Sequence, residues 1–431
     1  MKFLRIWIIL ALSLTLNAEF KQGSIIVDAR AEALVKSILD RLCKAGGRLS
    51  TPKIYFIVDP NINAFATEEG KIYIHTGLII KLKNVNQLVA VLAHELGHIT
   101  GGHIHRFRSE SGGITAASII GTLLGGAAAL AGGGGDALLA GIMLGQGAAQ
   151  GSYASYTRGH EKEADAAAFR MLQAAGLSTG GGIEIFELFQ KTTFGDPPYL
   201  KTHPSDQERI NAFKNFREQS PDTGTMPDEW IKEFENIQAI FVANLNKLSD
   251  AERFYYGKDS PAATLAKTII LARKSQYKEA FAKLDVLAKE SPNNPYLQEL
   301  YGQFLLESGN ASKAVEHLQK AVAMAPNALS IRLLYAQALF TSNSDCHKAL
   351  DELNRITRDD PDNAMAWLLK VGAYKKLNKN DAADLAHAEA ARLMGDKKLA
   401  IQRVQRAAKS SDPKVKEDAK QLLAELNGAD D

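Results

Sequence analysis

A five-residue segment of the sequence, His94-Glu95-Leu96-Gly97-His98, has the residue types and the spacing of a metal-dependent hydrolytic site. On a helix, residues i and i+4 lie on one face, so His94 and His98 can bind the same zinc ion. Glu95 would then face the zinc-bound water, remove its proton and later deliver that proton to the leaving amine. The chain has only 10 histidines, so a chance match is rare. The segment predicts hydrolysis with one Zn²⁺ per chain.

A catalytic zinc ion needs a third protein ligand and one open position. The segment Glu161-Lys162-Glu163-Ala164-Asp165 offers Glu161 as that ligand. Glu161 and Asp165 share a helix face, whereas Glu163 points elsewhere, towards solvent. Asp165 can accept the second N–H of a ligand histidine and fix its tautomer. Spacing alone does not distinguish this arrangement from an ordinary acidic first turn, which the helix dipole also favours.

Hydrophobic periodicity predicts the elements that carry these residues. Val85 to Thr100 is predicted as a helix, capped by Asn84 or Asn86 and ended by Gly101-Gly102. A second helix is predicted from about His160 to Ala175. The other predicted elements are a helix over 24–44, strands over Lys53–Val58, Asn63–Ala66 and Lys71–His75, and helices with Pro and Gly breaks over 177–260.

The chain repeats itself from about residue 262 onward. Alanines recur at intervals of 34 or 35 residues, and proline-containing pairs recur in step with them: Ala280, Ala314, Ala349, Ala383, and Pro292-Asn293, Pro326-Asn327, Pro361-Asp362. Each unit is predicted to be two amphipathic helices joined near Gly309, Asn343 or Asn378, followed by an irregular helical cap over 397–427. This pattern resembles the tetratricopeptide repeat; a generic helical bundle would not need a fixed period.

The N-terminus is typical of a secretion signal. Lys2 and Arg5 precede an uncharged apolar run, and Leu16-Asn17-Ala18 is a small-residue cleavage site, so the mature chain would begin at Glu19. The alternative is a membrane anchor, for which the apolar run is short. These features predict a signal peptide over 1–18, a peptidase domain with a helical linker over 19–260 and a repeat domain over 261–431.

The motifs resemble a known family. His94-Glu95-Leu96-Gly97-His98 followed by Glu161 to Asp165 resembles the HExxH and ExxxD pattern of the HtpX and CAAX prenyl protease type metallopeptidases. Residues 63–66 with 70–78 resemble that family's substrate-binding edge strand, and residues 202–205 with Arg209-Ile210 resemble its THPS…RI segment. Together with the signal and the repeats, the resemblance is closest to periplasmic beta-barrel assembly-enhancing proteases.

The resemblance implies a role for each matching residue. It places zinc on His94, His98 and Glu161, with Glu95 as the base. It also implies substrate binding by Arg209 and by an edge strand carrying Ile72, Tyr73 and Ile74; the alternative is a plain hairpin that covers the core. Gly102 stands where the family often has Arg, which puts in doubt a role for the following His103; His103 and His105 are predicted as surface histidines.

His203 is predicted to act at the metal site. Pro204 restrains it towards extended geometry. It could be a fourth zinc ligand that silences the resting enzyme or a hydrogen-bond donor to the oxyanion. A loop histidine without a catalytic part is the remaining alternative.

Residues 112–151 are rich in Gly and Ala, with Asp136 as their one charged residue. They could form a mobile lid or membrane-touching loop over the cleft, paired membrane spans, or closely packed helices.

Cys43 and Cys346 could form a disulfide after export or remain isolated. The formal net charge of +2 gives no reason to expect a nucleic-acid partner.

The sequence therefore predicts an α+β zincin-like domain followed by an all-α solenoid of repeats. The expected function is zinc-dependent endopeptidase activity in the periplasm, in quality control and assembly of outer-membrane proteins. The expected partners are misfolded or stalled outer-membrane proteins and, through the concave face of the repeats, an assembly machine. The alternative function is a chaperone or assembly factor that binds through the repeats and carries a latent protease site.

Overall fold

A computed structural model describes residues 22–67, 69–103, 106, 148–190, 207–342 and 344–428. The predicted signal peptide, residues 112–147, His105 and His203 lie outside the described residues. The chain divides into two compact units: Arg30–Val242, and Ala243 onward together with the residues before Arg30. The division falls inside a helix, Asp228–Leu245. The domain boundary near residue 260 stays a prediction.

The N-terminal part of the chain mixes short strands with helices. Its described elements, in order, are β1 Ile25–Ile26, α1 Ala29–Ala45, β2 Lys53–Ile57, β3 Ala64–Ala66, β4 Lys71–His75, α2 Thr76–Lys81, α3 Val85–Thr100, α4 Ala148–Ala174, α5 Gly181–Gln190, α6 Gln207–Gln219 and α7 Asp228–Leu245. Strand β4 and helix α3 have the predicted bounds. The helix predicted over 24–44 instead starts with the short strand β1 and becomes helical only at Ala29.

The four strands form one sheet in the order β1-β2-β4-β3. Strand β4 pairs parallel with β2 and antiparallel with β3, so it lies inside the sheet and β3 lies at its edge. Three aromatic rings stack across these strands on one face: Tyr73 lies between Tyr55 and Phe65, with centroid distances of 5.1 and 5.2 Å. Ile72 and Ile74 point to the other face and are fully buried. Helix α3 packs against β3.

The C-terminal part is all helical. Its elements are α8 Leu248–Tyr255, α9 Pro261–Arg273, α10 Tyr277–Glu290, α11 Pro295–Glu307, α12 Ala311–Met324, α13 Leu329–Thr341, α14 Cys346–Asp359, α15 Ala364–Lys376, α16 Asn380–Leu393, α17 Lys397–Ala407 and α18 Pro413–Gly428. From α9 onward each helix packs on the next, as in stacked helical repeats. The structure thus confirms the predicted repeat architecture and the helical cap.

The periodic alanines lie where the repeat helices approach each other. All four lie on the second helix of a pair and are buried: Ala280, Ala314, Ala349 and Ala383. The turns between paired helices use left-handed backbone, at Gly309 with φ +81° and Asn378 with φ +56°. Small side chains and tight turns together explain why the sequence keeps a fixed period.

Two further sequence questions concern the cysteines and the membrane. Cys43 is buried, Cys346 is half-buried, and both are free thiols. Among the helices that the structure describes, none is long and apolar enough to cross a membrane.

Candidate metal centre

Helix α3 carries three of the predicted site residues on buried positions. Asn84 caps the helix, because its side chain accepts a hydrogen bond from the Gln87 backbone N–H. His94, Glu95 and His98 are buried, with 5%, 1% and 8% of their surfaces exposed. The helix is buried on nearly every side over its first fourteen residues, so its backbone is held rigidly around the site.

Helix α4 brings Glu161 and Asp165 to the same place. Both carboxylates are buried, as predicted from their shared helix face, whereas Glu163 is exposed. The two helices approach closely at Gly97, where a Cβ atom would come within 2.7 Å of the Ala164 carbonyl oxygen. The glycine inside the histidine motif therefore permits the close approach that places Glu161 beside the imidazoles.

The three predicted ligands converge on one point. The Nε2 atoms of His94 and His98 are 3.0 Å apart, and each lies 3.3 Å from one carboxylate oxygen of Glu161. In the described part of the chain, this is the group whose His, Cys, Asp and Glu side chains could hold a metal ion. Two imidazole nitrogens and one carboxylate form the donor set of many catalytic metal sites.

Asp165 contacts the ring of His94. Its Oδ1 lies 2.8 Å from His94 Nδ1, which leaves Nε2 directed at the ligand cluster. Burial lowers the pKa of His94, but hydrogen bonds to Asp165 and Glu161, together with their charges, raise it to about 10. Burial raises the pKa of Asp165, but Arg209 and His94 hold it below its usual value. Asp165 is therefore an anionic hydrogen-bond acceptor at neutral pH.

Arg209 has a different place from the one predicted. It was expected to bind substrate, but its side chain is buried, and its guanidinium group contacts both carboxylates. Nε and Nη2 donate to Asp165 at 2.7 and 2.8 Å, and Nη1 lies 2.9 Å from Glu161 Oε2. The guanidinium also lies over the Phe186 ring, 5.0 Å from its centroid. These contacts favour a role in holding the two carboxylates in place, whereas the role in substrate binding stays a prediction.

His103 was expected at the surface, and this prediction is wrong. Only 3% of its surface is exposed, and its Nδ1 lies 3.0 Å from Nδ1 of His98. Its ring stacks on His160 with centroids 4.5 Å apart, and its Nε2 lies 3.2 Å from Glu163 Oε2. Burial and the neighbouring His160 hold the pKa of His103 below its ordinary value. The sequence feature that could have indicated this buried position is the Gly101-Gly102 pair, which turns the chain back over the end of α3.

The predicted substrate strand also needs correction. Ile72, Tyr73 and Ile74 were assigned to an edge strand, but β4 is paired on both sides. A strand without an open edge cannot add a substrate backbone. The edge at this end of the described sheet belongs to β3, Ala64–Ala66. Substrate binding by this segment stays a prediction, and the correction concerns only which of its two strands lies at the edge of the sheet.

Comparisons with known proteins agree with this architecture. Residues 29–217 match the model of peptidase family M48, and residues 305–371 match a tetratricopeptide repeat model. A beta-barrel assembly-enhancing protease of Yersinia pestis is 25% identical over 88% of this chain and 79% of its own length. The protein of that name from Escherichia coli K12 is 26% identical over 84% of this chain and 75% of its own.

A further relative gives a shorter match. Metalloprotease YcaL of Escherichia coli K12 is 32% identical over 38% of this chain and 60% of its own length.

Proposed function

From a peptidase family M48 domain joined to tetratricopeptide repeats, we propose that this chain is a zinc-dependent endopeptidase. The observation that carries the proposal is the buried convergence of His94, His98 and Glu161 beside Glu95. Structural zinc sites have four protein ligands, whereas catalytic sites have three and keep one position for water or substrate. Three ligands beside a buried carboxylate favour the catalytic kind.

The distances between the ligand atoms fit zinc. Ligands about 2.0–2.1 Å from a tetrahedral metal ion lie roughly 3.3 Å from one another. The observed separations are 3.0 Å between the two nitrogens and 3.3 Å from each nitrogen to Glu161. Zinc would therefore need only small adjustments of the three side chains. A bound zinc ion supplies Lewis-acid chemistry, which polarises a peptide carbonyl and lowers the pKa of water.

Glu95 supplies the proton transfer. It follows the ligand His94 on α3 and is almost fully buried, so its carboxylate works in a site of low dielectric constant. As general base it takes a proton from the attacking water, and as general acid it gives that proton to the leaving amine. Asp165 and Arg209 hold His94 and Glu161 in place during the reaction.

The substrate is proposed to bind as an added strand along β3. An extended peptide can pair with an unpaired strand edge through its backbone, which suits a protease of broad sequence range. In the described sheet, β3 is the outer neighbour of β4; its three residues are buried, and it packs against the helix that carries the ligands, so a substrate strand must first uncover it. Backbone pairing at β3 would therefore bring a scissile bond towards the site.

The proposed setting is the bacterial periplasm, with outer-membrane proteins as substrates. Two observations support it: the names of the relatives that match both parts of the chain, and the tetratricopeptide repeats, whose extended surfaces bind proteins. The predicted signal peptide over 1–18 agrees with export.

The test is digestion of an unfolded protein by purified, zinc-loaded protein, with fragments identified by mass spectrometry. Glu95→Gln should slow cleavage by ~10²–10⁴-fold, because it removes the base and keeps the ligands. Zinc content of both samples serves as the control and should be equal. Internal cleavage sites indicate an endopeptidase. Full activity of metal-loaded Glu95→Gln would remove Glu95 from the mechanism.

The alternative function, a chaperone or assembly factor with a latent site, is supported by the repeat array. The same variant distinguishes the two in cells. Each chain is expressed in a strain that lacks the protein. If Glu95→Gln restores envelope integrity as fully as the wild type does, then binding is the main activity. If only the wild type restores it, hydrolysis is required.

A further inference from the structure

His98 has a hydrogen-bonding partner that the motif did not predict. His94 is oriented by Asp165, whose Oδ1 lies 2.8 Å from the ring nitrogen that faces away from the ligand cluster. The corresponding nitrogen of His98, Nδ1, lies 3.0 Å from Nδ1 of His103. His103 is buried, and its second nitrogen lies 3.2 Å from Glu163 Oε2. The two ligand histidines are thus supported in different ways.

We propose that His103 is a positioning residue that holds His98 in the tautomer and orientation needed to bind the metal, with Glu163 fixing the tautomer of His103. This inference rests on the proposed metal site, because it assigns the support of one of its ligands.

The proton positions follow from the geometry. His98 directs Nε2 at His94 and Glu161, so as a neutral ligand it carries its proton on Nδ1. Nδ1 of His98 therefore donates to Nδ1 of His103, which must accept and so carries its own proton on Nε2. That Nε2–H then donates to the Glu163 carboxylate. One distribution of protons satisfies all three groups, ending in an anionic acceptor.

The surrounding chain is shaped to hold His103 in this position. Gly102 has φ +61°, a left-handed conformation that turns the chain sharply after α3. A Cβ atom on Gly101 would lie 2.2 Å from Nε2 of the His103 ring, so only glycine leaves room for the ring. His160 stacks on its face at 4.5 Å, and Arg106 holds Glu163 through a 2.8 Å ion pair. These contacts restrict the ring from several directions.

A purely structural histidine predicts different behaviour from a positioning one. If His103 only fills space, then any side chain of suitable size should support metal binding equally. If it orients His98, then a replacement needs an acceptor facing His98 Nδ1. Leucine and asparagine have nearly the same shape, but only asparagine has an oxygen that can replace the accepting nitrogen. The two substitutions therefore leave the same cavity and differ in hydrogen bonding.

The experiment compares His103→Leu with His103→Asn in the full chain. Zinc affinity is measured by competition with a chromophoric chelator, and thermal unfolding of the metal-free proteins reports on folding. We expect His103→Leu to weaken zinc binding by about 10–100-fold, the usual effect of losing a partner of a ligand histidine. His103→Asn should keep most of the affinity. The visible spectrum of the Co²⁺-loaded proteins should change in His103→Leu and stay close to wild type in His103→Asn.

Two controls separate this inference from the proposed function. Thr100 lies in the same turn of α3 as His98, and Thr100→Ala should leave zinc affinity unchanged. Glu161→Gln should weaken zinc affinity strongly. If Glu161→Gln binds zinc as well as the wild type does, the proposed metal site is wrong, and the inference with it. If Glu161→Gln loses zinc but His103→Leu and His103→Asn bind it equally, only the inference is overturned.

A surface variant keeps the test open if both His103 variants fail to fold. Glu163 is exposed, so Glu163→Ala removes the acceptor of His103 without disturbing the core. We expect it to weaken zinc binding, whereas Glu163→Gln, whose amide oxygen can still accept, should not. Equal zinc affinities of Glu163→Ala and Glu163→Gln would overturn the proposed chain of hydrogen bonds from His98 through His103 to Glu163.

Discussion

Gly97 and Ala164 lie so close that a methyl group on Gly97 would come within 2.7 Å of the Ala164 carbonyl oxygen. Gly97 belongs to the helix that carries both ligand histidines, and Ala164 lies between Glu161 and Asp165 on the other helix. The distance between the two backbones therefore sets the distance from the imidazoles to the carboxylate ligand. A glycine in this motif has a geometric role in metal binding.

We expect Gly97→Ala to weaken zinc binding and to destabilise the protein. The added methyl group meets backbone, which cannot rotate away, so the helices must separate by a few tenths of an ångström or more. Overpacking of this kind costs roughly 1–3 kcal/mol. Chemical denaturation and zinc competition measure the two effects. Ala90→Gly is a matched control on the same helix, and it should lower stability without lowering zinc affinity in the folded protein.

Arg209→Gln tests whether this residue positions the carboxylates or binds substrate. Its removal takes the guanidinium group away from two buried carboxylates, which should cost roughly 3–5 kcal/mol of stability. Zinc affinity should fall as well, because Glu161 and Asp165 lose their orientation. With saturating zinc, KM for an unfolded protein substrate should stay near the wild-type value. A raised KM with unchanged stability would instead support the role in substrate binding.

Helix periodicity accounts for the clustering of the candidate ligands. His94 with His98, and Glu161 with Asp165, are each four residues apart, so one rule placed all four on inward faces. The same local rule placed β4 and α3 at their observed bounds. Likewise, Asp165 contacts His94 as its spacing from Glu161 suggested.

The errors arose where tertiary contacts decide a residue's role. Arg209 is exposed or buried depending on how α6 packs against α4, and no local pattern encodes that contact. His103 follows a Gly-Gly turn whose direction depends on φ at Gly102. The order of β4 and β3 in the sheet depends on which strand pairs with β2, a nonlocal choice. Each error concerned a partner far along the chain or a backbone reversal.

Zinc binding should release protons and strengthen as pH rises. In the metal-free protein the pKa of His94 is raised from 6.5 to about 10, so this imidazole is charged at neutral pH. Zinc requires the neutral ring, so binding must displace that proton. Apparent affinity should increase by up to about tenfold per pH unit for each proton displaced. Calorimetry in buffers of different ionisation enthalpy measures the proton count directly.

The raised pKa of His94 makes the stability of the metal-free protein fall as pH rises, whereas zinc affinity increases. Because folding raises the pKa of His94, the stability from its protonated form is fully present below pH 6.5 and is lost as pH rises through about 10. The lowered pKa of Asp165 contributes stability above its unfolded value, which is lost as pH falls. Metal-free unfolding free energy should therefore decline between pH 7 and 10. An unchanged value across that range would contradict the assigned pKa of His94.

His203→Ala tests the proposed latch at the metal site. His203 precedes Pro204 in the sequence, proline generally restricts the residue before it to extended backbone, and neutral imidazole is a good zinc ligand. If His203 takes the position that water needs, the resting enzyme is silent and His203→Ala should cleave an unfolded substrate faster. If it donates to the oxyanion instead, the same variant should be slower by ~10²–10³-fold. We propose that His203 acts as the latch. A catalytic zinc site has three protein ligands and one open position, so a fourth protein ligand would block the position that water needs.

The sign of the change decides between the two roles only if metal content is equal. Rates should therefore be divided by bound zinc, and Pro204→Ala serves as the matched variant. It keeps the imidazole and removes the restraint, so under the latch it should raise activity less than His203→Ala does. Under the oxyanion role both variants should be slower. An unchanged rate for His203→Ala at equal zinc content would discard both roles and leave His203 as an ordinary loop residue.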